Sequence, residues 1–297
     1  MNFDFLSRLV KERERCSVAF VGAAAGEVLE AAEMVAKEGI AEPILVGDRA
    51  EIERIATDRD VDLFRMKIVD AVDDRAAAAV ASDMVAEGTA QALMKGRTPT
   101  WILMKEGLRG GLRRGDRLLS HVTLVEVPSF ERPILVTDSA LTPYPSFAQR
   151  IQIIENAVEV MRVLGVRAPK VALLSASEEV NEKIPFSIEA EEIARMNLPG
   201  EPLESCGVIA GPLDLGCAIH PETARIKGVE GPIAGDADIL VTPDIVAANV
   251  LSKSLIYLAG GAVAACVVGG AVPIGMVSRA SPAQDKYNAL LLTLAIR

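Results

Sequence analysis

Short apolar runs alternate with amphipathic stretches along this chain, and this alternation is what most restricts its fold. Runs typical of buried strands stand at 16–24, 42–48, 67–72 and 92–96. Helical sequences separate them, beginning with GEVLEAAEMVAKEG after the first run. Strands that are apolar throughout are covered on both faces, and strand–helix–strand units place their strands in parallel. The pattern therefore predicts an α/β fold built on parallel sheets.

The middle of the chain departs from this alternation. The runs HVTLVEVPS (121–129) and RPILVTDSA (132–140) are separated by only two residues, so they are predicted to pair as a hairpin. A helical pattern of apolar residues then extends from Phe147 to Leu164. Three further strands are predicted at 170–177, 206–211 and 237–244. We infer two α/β lobes with a junction near 138–146.

The composition excludes two classes of partner. The 297-residue chain has a net charge of −10 and only 4% aromatic residues, so we expect neither nucleic acid nor a membrane surface as a partner. Residues 254–278 carry no charge, but their glycines and Pro273 favour strands and a turn over a membrane helix. The first residues, MNFDFLSRLVKERER, lack the apolar run of a signal peptide. We expect a cytoplasmic protein whose four cysteines are small buried residues.

One segment of this acidic chain is basic. Residues 95–117 include seven lysines and arginines but only two acidic residues. At its start, MKGRTPT ends a predicted strand at Lys95 and Gly96, and Thr98 is suited to cap a helix that begins at Pro99. That helix N-terminus, with Lys95 and Arg97 beside it, is suited to an anionic ligand such as phosphate. A solvated basic helix face explains the same residues, and composition does not separate the two interpretations.

A second polar cluster follows the last predicted strand, IGMVS. Ser281 is suited to cap the next helix, with Pro282 as its first residue and a glutamine three positions after the cap to complete a capping box. Asp285 falls in the first helical turn, where the helix dipole favours an anion. These roles leave Ser278 and Arg279 unexplained, at the carboxyl end of a strand, where α/β folds bind ligands.

Other candidate residues have weaker support. Asp138, Asp236 and Asp238 stand at predicted strand ends, where carboxylates can hold Mg²⁺ but equally cap helices or bind loop amides. His121, at the start of a predicted strand, is a weak candidate for a base. The chain has no Gly-x-Ser-x-Gly elbow, no P-loop and no Gly-x-Gly-x-x-Gly fingerprint after its first strand.

Taken together and in order, eight segments resemble the phosphate acetyltransferase and phosphate butyryltransferase family. They are AAEMVAKEGIAEPILVGD, LMKG (93–96), GLRRGDRLLSHVTLVEVP, VTDSALTPYPSFAQRIQIIENAV, KVALLSASEEVN, GPLDLGCAI, GDADILVTPD and PIGMVSR. The resemblance runs nearly end to end. It implies reversible transfer of a short acyl group between the thiol of CoA and inorganic phosphate, directly in a ternary complex. Acyl-CoA and phosphate are then substrates, with no permanently bound cofactor and no metal.

The same resemblance implies an architecture. It is that of isocitrate and isopropylmalate dehydrogenases, with two α/β lobes around a cleft, in a homodimer. The first lobe is expected to comprise residues 1–138 and 266–297, and the second residues 139–265. The C-terminal segment then completes the first lobe and brings Arg279 near Lys95 and Arg97.

The resemblance also assigns roles at the C-terminal cluster. Asp285 would take the thiol proton, Ser278 would donate a hydrogen bond to the carbonyl oxygen, and Arg279 would hold the phosphoryl group. Residues predicted to bind substrate are Lys95, Gly96, Arg97, Ser120, His121 and Asp138.

One position departs from the family pattern. Many relatives, especially butyryl-transferring ones, read Ser-Arg-Ala-Asp-Ser, whereas Ser281 replaces the Asp here, which leaves the acyl preference open. Two alternatives stay open from the sequence. One is a metal- and NAD-dependent hydroxyacid dehydrogenase that uses Asp138, Asp236 or Asp238. The other is a non-catalytic acyl-CoA binder.

Overall fold

A computed structural model describes residues 3–297, which pack into two compact α/β units. We call residues 3–117 and 263–297 the terminal unit, and residues 118–262 the central unit. The α/β class predicted from the alternation is confirmed. The domain bounds expected from the sequence, 1–138 with 266–297 and 139–265, stay a prediction.

The first part of the terminal unit alternates helices and strands as predicted. Its elements are α1 (Asp4–Lys11), β1 (Cys16–Val21), α2 (Gly26–Glu38), β2 (Ala41–Gly47), α3 (Arg49–Asp58), β3 (Lys67–Asp70), α4 (Asp74–Ala86), β4 (Ala92–Lys95) and α5 (Thr100–Arg109). All four strands are parallel, in the order β3-β2-β1-β4. Because they are parallel, their carboxyl ends lie at one edge of the sheet.

Local sequence explains where the helices at this edge begin and end. The carboxylate of Asp48 accepts a hydrogen bond from the backbone N–H of Glu51 at the start of α3, and Asp73 does the same for Ala76 at the start of α4. Helix α2 ends at Gly39, whose φ of 70° is readily adopted only by glycine. These caps fix the helix starts beside the carboxyl ends of β2 and β3.

The central unit contains five strands of the sheet and five helices. Its elements are β5 (Ser120–Glu126), β6 (Ile134–Thr137), α6 (Phe147–Val163), β7 (Lys170–Leu174), α7 (Pro185–Arg195), β8 (Val208–Leu213), α8 (Leu215–Ile219), α9 (Pro221–Ile226), β9 (Ile239–Val241) and α10 (Ile245–Tyr257). The strand order is β5-β6-β9-β7-β8. Strands β5 and β6 pair antiparallel, which confirms the predicted hairpin, and the remaining pairs are parallel.

The chain then returns to the terminal unit through β10 (Ala262–Val268), β11 (Ile274–Gly275) and α11 (Ala283–Ile296). Strand β11 lies between β10 and β4, antiparallel to the first and parallel to the second. The predicted strand IGMVS is correct only for its first two residues. The backbone N–H of Met276 donates one more hydrogen bond, to the carbonyl oxygen of Ala265, and the chain then turns at Ser278. Helix α11 is buried from Lys286 to Ala295 and packs on α1, α2 and β11.

The expectations about cysteines and membrane segments can be compared with this structure. All four cysteines are free thiols and buried, as predicted. Within residues 3–297, no helix is long and apolar enough to cross a membrane. Residues 254–278 instead form the end of α10, the buried strand β10, a turn and β11.

Candidate active site

The carboxyl ends of β1, β2, β3 and β4 border a pocket of about 530 Å³ in the terminal unit. This volume is within the range of small-molecule sites. The charged residues that line it are Asp48, Glu51, Asp73, Asp74, Arg97 and Arg279. The structure thus brings together Arg97 and Arg279, two predicted site residues that are far apart in the sequence.

Lys95, the last residue of β4, is buried close to Arg279. It is only 7% exposed, and its ammonium group donates hydrogen bonds to the carbonyl oxygens of Gly96 (3.2 Å) and Thr98 (3.4 Å). Burial, followed by the positive charges of Arg279 and Lys286, lowers the pKa of Lys95 to about 8. The predicted proximity of Lys95 to Arg279 is therefore present in the structure.

Gly96 and Thr98 have packing roles at the same strand end. A Cβ atom on Gly96 would lie 2.2 Å from the carbonyl oxygen of Gly22, so only glycine fits this close approach of two backbones. The predicted cap by Thr98 is wrong: α5 begins one residue after Pro99 and has no side-chain cap. The Thr98 hydroxyl donates instead to Asp74 (2.8 Å), because the carboxylate is a stronger acceptor within reach.

The basic segment 95–117 divides into two parts in the structure. Lys95 and Arg97 lie at the carboxyl end of β4, whereas Arg109 is the last residue of α5, a helix about 15 Å long. Arg109 pairs with Glu106 (3.3 Å), and Arg113 is exposed and donates to the carbonyl oxygen of Leu108 (3.3 Å). The solvated-face interpretation thus suits the second part of the segment, and the anion-site interpretation suits the first.

Ser278 and Arg279 are exposed on a tight turn after β11. The carbonyl oxygen of Ser278 accepts the N–H of Ser281 (3.0 Å), and its hydroxyl oxygen accepts the N–H of Ala280 (3.4 Å). That hydroxyl acts here as an acceptor, so its O–H can still donate to a ligand. Lys286 closes the turn from the buried side, donating to the carbonyl oxygens of Arg279 (3.5 Å) and Ser281.

Asp285 lies half-buried in the first turn of α11. Burial raises the pKa of its carboxyl group, while a hydrogen bond from the Ser281 hydroxyl and the charge of Lys286 oppose that rise. The predicted capping box is wrong. The helix begins after Pro282, and the amide of Gln284 donates to Asn288 (3.0 Å). Ser281 is therefore a partner of Asp285 rather than a helix cap.

Lys286 was not predicted from the sequence. In the sequence it is a single lysine that follows Asp285, in a predicted helix whose other residues are mostly apolar. Polar residues in such a helix are usually assigned to its solvent face. The burial of this lysine could be known only once α11 was placed against α1, α2 and β11.

The predicted residues of the central unit are all buried. Nδ1 of His121 lies 2.9 Å from the hydroxyl oxygen of Ser139 and 3.3 Å from that of Thr123. The two hydroxyls are themselves 2.8 Å apart, and all three side chains are at most 5% exposed. This group holds the His121 ring in a fixed position on β5.

Ser120 and Asp138 are also buried, each with its own hydrogen-bond partners. The Ser120 hydroxyl accepts a hydrogen bond from Asn156 (2.8 Å) and is fully buried. Oδ1 of Asp138 accepts the backbone N–H groups of Ala140 and Leu141, both at 2.9 Å. Its other oxygen, Oδ2, is buried and accepts no hydrogen bond within residues 3–297. A buried carboxylate oxygen without a donor is suited to a ligand hydrogen bond.

Asp236 and Asp238 do not join Asp138. They precede β9, at the amino end of that strand, whereas Asp138 follows the carboxyl end of the parallel strand β6. Arg132 pairs with both, at 2.6 Å from Asp236, and Lys170 pairs with Asp236. These ion pairs account for the two carboxylates and weaken the idea of a metal site shared with Asp138.

One group of side chains in residues 3–297 has the spacing of metal ligands. It consists of Glu178, Asp214 and Cys217, whose donor atoms lie within 4.8 Å of one another. The ammonium of Lys227 lies among them, 2.8 Å from Glu178 and in contact with Asp214. Burial and the neighbouring carboxylates raise the pKa of Cys217 to about 12, so its thiol stays protonated. Because Lys227 already pairs with Glu178 and Asp214, we do not propose a metal at this group.

Comparison with known proteins identifies the family. Residues 4–79 and 72–294 match the sequence profile described as phosphate acetyl/butaryl transferase. The chain belongs to this family. It is 36% identical to the phosphate acetyltransferase of Thermotoga maritima over 293 residues, which cover 97% of this chain and 98% of that protein. It is 37% identical to the phosphate butyryltransferase of Clostridium beijerinckii over 297 residues, covering 99% and 97%.

A solved structure supports the same assignment. A branched-chain phosphotransacylase from Enterococcus faecalis superimposes with a TM-score of 0.83 at 34% identity, covering 95% of this chain and 98% of that one. The resemblance stated from the sequence is thereby confirmed. The protein is a phosphate acyltransferase, and a hydroxyacid dehydrogenase of the same architecture is not favoured.

Proposed function

We propose that this protein catalyses acyl-CoA + phosphate ⇌ acyl phosphate + CoA, by direct transfer between the two bound substrates. The observation that supports the proposal most is the placement of Ser278, Arg279 and Asp285. One turn and the helix start after it hold all three, and Arg279 lines the pocket at the strand ends. Such a site needs no permanently bound cofactor.

In the direction of acyl phosphate use, Asp285 removes the proton from the CoA thiol. The thiolate attacks the acyl carbon, the bond from that carbon to the phosphate oxygen breaks, and phosphate leaves. A base is useful because a free thiol has a pKa of about 8.5. Burial raises the pKa of Asp285, which brings the carboxylate closer to the thiol in basicity.

Two side chains stabilise the charge that develops. The Ser278 hydroxyl donates to the carbonyl oxygen as it becomes negative, and Arg279 binds the phosphate oxygens through its planar fork of N–H groups. In the reverse direction a phosphate oxygen attacks the thioester carbon, and protonated Asp285 returns its proton to the departing thiolate. In both directions the proton passes between Asp285 and the CoA sulfur, and the leaving group departs with the electron pair of the broken bond.

Six other residues are proposed to bind substrate. Arg97 lies in the same pocket as Arg279 and adds positive charge for an anion. Lys95 adds a buried positive charge close to Arg279, and Gly96 allows the close approach of the β4 end to the backbone of Gly22. In the central unit, Asp138 has a buried oxygen without a donor, His121 is held on β5, and Ser120 is fully buried. Burial makes Ser120 the weakest of the six candidates.

The homodimer and the cytoplasmic location are also part of this proposal. Helix α10 supports the first, because Val246, Val250 and Tyr257 are each more than half exposed on it, followed by Leu258 at 85%. Such an apolar surface is typical of a protein–protein interface. Sedimentation should give twice the monomer mass, and Val250→Glu should lower it. The four buried free thiols fit a reducing compartment such as the cytoplasm.

The activity is tested by thiol release from C2–C8 acyl-CoA esters, with and without phosphate. We expect thiol release that requires phosphate, proceeds without added metal or NAD, and is unaffected by a chelator. The chain length with the highest kcat/KM then gives the acyl preference. CoA binding without thiol release from any ester would instead identify a non-catalytic binder.

A further inference from the structure

Lys286 holds an unusual position for a lysine. It is only 3% exposed, and its ammonium group points back from α11 to the turn that precedes the helix. There it donates to two backbone carbonyl oxygens, those of Arg279 and Ser281. Both residues belong to the turn that presents Ser278 and Arg279 to solvent, and the ammonium lies on the opposite, buried side of that turn.

Burying this charge has a cost. A buried ammonium loses its hydration, and only hydrogen bonds or nearby opposite charges offset the loss. The carboxylates of Glu27 and Asp285 contribute part of the compensation, and burial still lowers the pKa of Lys286. The turn's two carbonyl oxygens supply the hydrogen bonds. An apolar side chain would fill the same space without this cost, but it would leave both carbonyl oxygens without this donor.

The location of the two bonds connects Lys286 to the proposed chemistry. The carbonyl of Arg279 is part of the residue that is proposed to hold phosphate. Ser281 is bonded through its backbone to Lys286 and through its hydroxyl to Asp285. One buried side chain therefore fixes the backbone of the phosphate ligand and of the residue that contacts the proposed base.

We propose that Lys286 is a positioning residue for this reaction: its ammonium fixes the Ser278–Ser281 turn and thereby directs the Arg279 guanidinium at the phosphate. Lys286 itself does not contact substrate. The proposal rests on the role given to Arg279 above. It adds a residue that sequence motifs around Ser278 and Arg279 do not include.

A double-mutant cycle tests the proposal. Lys286→Met keeps length and apolar volume but removes the donors, so Arg279 loses its fixed direction. Because small misplacements of a positioning group can cost about 100-fold, we expect kcat/KM for phosphate to fall by up to that factor. The affinity for CoA should change much less. In an Arg279→Gln background the same Lys286→Met change should cost severalfold less, since the group that it directs is already gone.

Two controls separate positioning from stability. Leu294→Ala removes a fully buried side chain from the same helix, so it lowers Tm without altering the turn and should leave both KM values unchanged. Lys286→Gln retains a donor and should recover part of the loss seen with methionine. It also serves if the methionine variant does not fold. A purely structural lysine would give losses that follow Tm and add to those of Arg279→Gln, and this result would overturn the proposal.

The cycle also separates this inference from the proposed function. If Arg279→Gln leaves phosphate use unchanged, the role of Arg279 fails, whatever Lys286 does. If Arg279→Gln impairs phosphate use but the two substitutions are additive, only the positioning role of Lys286 fails. Strong coupling confined to the phosphate parameters supports both.

Discussion

In the terminal unit, Ser278 and Arg279 are exposed on a turn that a buried lysine holds from below, whereas in the central unit His121, Thr123 and Ser139 are all buried and bonded to one another. The first arrangement leaves the side chains of Ser278 and Arg279 available to a ligand. Only the supporting residue, Lys286, loses its hydration by burial. The second satisfies its polar atoms internally. This contrast indicates that chemistry depends mainly on the terminal unit.

The residues around Ser278 and Arg279 also differ in charge from the group of His121, Thr123 and Ser139. Lys95, Arg97, Arg279 and Lys286 are four cations of the terminal unit. Burial, followed by the charges of Arg279 and Lys286, lowers the pKa of Lys95. The central group consists of an imidazole and two hydroxyls. A phosphate dianion is therefore expected to gain most of its binding energy from the terminal unit.

The largest effect is expected from Asp285→Asn. Loss of a general base typically costs about 10²–10⁴-fold in rate, so kcat should fall by this order while CoA binding stays close to wild type. Steady-state kinetics and calorimetric titration of CoA measure the two quantities. An unchanged kcat would mean that Asp285 only serves the helix start, and the contrast between the units would lose its main support.

The stability of Asp285→Asn relative to wild type is also expected to depend on pH. The folded-state pKa of Asp285 is raised above its ordinary value of 3.8, so its stabilising contribution is present at pH values below 3.8 and is lost as pH rises through the folded-state pKa. Asp285→Asn should therefore be more stable than wild type at pH 7 and lose that advantage in acid. Denaturant unfolding at both pH values measures the difference.

Arg279→Gln is expected to have the next largest effect. Removal of one charge-stabilising donor costs about 10²–10³-fold, here in kcat/KM for phosphate. Arg195→Gln, which removes an exposed arginine of α7 in the central unit, is the matched control and should behave like wild type. Phosphate parameters that are unchanged by Arg279→Gln would assign the anion site to other residues.

Lys95→Met is expected to weaken phosphate binding and also to change stability in a pH-dependent way. Its folded-state pKa of about 8 lies below the ordinary 10.5, so wild type gains stability as pH rises from about 8 towards 10.5. The variant lacks this gain and should be the more stable protein at pH 7. Unfolding free energies at pH 7 and pH 9.5 should show the gap between the two proteins narrowing. A constant gap for Lys95→Met would contradict the lowered pKa.

The smallest effect is expected from Thr123→Val in the central unit. It removes one hydroxyl of the buried group, with a loss of about 1 kcal/mol in unfolding free energy. Nδ1 of His121 keeps Ser139 as its partner, so kcat and the KM values should stay close to wild type. A large kinetic effect would mean that catalysis depends on the Thr123 hydroxyl itself, and this result would remove the distinction between the units.

Much of the fold could be predicted because its signals are local. Continuous apolar runs, the two-residue gap between the runs 121–129 and 132–140, and the glycines around β10 indicated the strands. The placement of β11 between β10 and β4 could not be predicted from periodicity, because it depends on pairing between distant segments. The family resemblance supplied the proximity of Arg279 to Lys95.

The errors at the candidate site share a physical cause. Thr98 and Ser281 are both good helix caps by residue type, but each finds a carboxylate, in Asp74 and Asp285, that competes for its hydroxyl. Capping rules consider only the helix that follows a residue. Lys286 was missed for the same reason, since its partners lie in the turn before the helix and its burial comes from tertiary packing.

The most direct test of phosphate acyltransfer is to follow both products in one sample by ³¹P NMR and a thiol assay. Wild-type protein with its preferred acyl-CoA and phosphate should produce an acyl phosphate resonance that grows in a one-to-one ratio with free thiol. Asp285→Asn should produce both much more slowly and in the same ratio. Thiol release without acyl phosphate would identify hydrolysis instead and contradict the account.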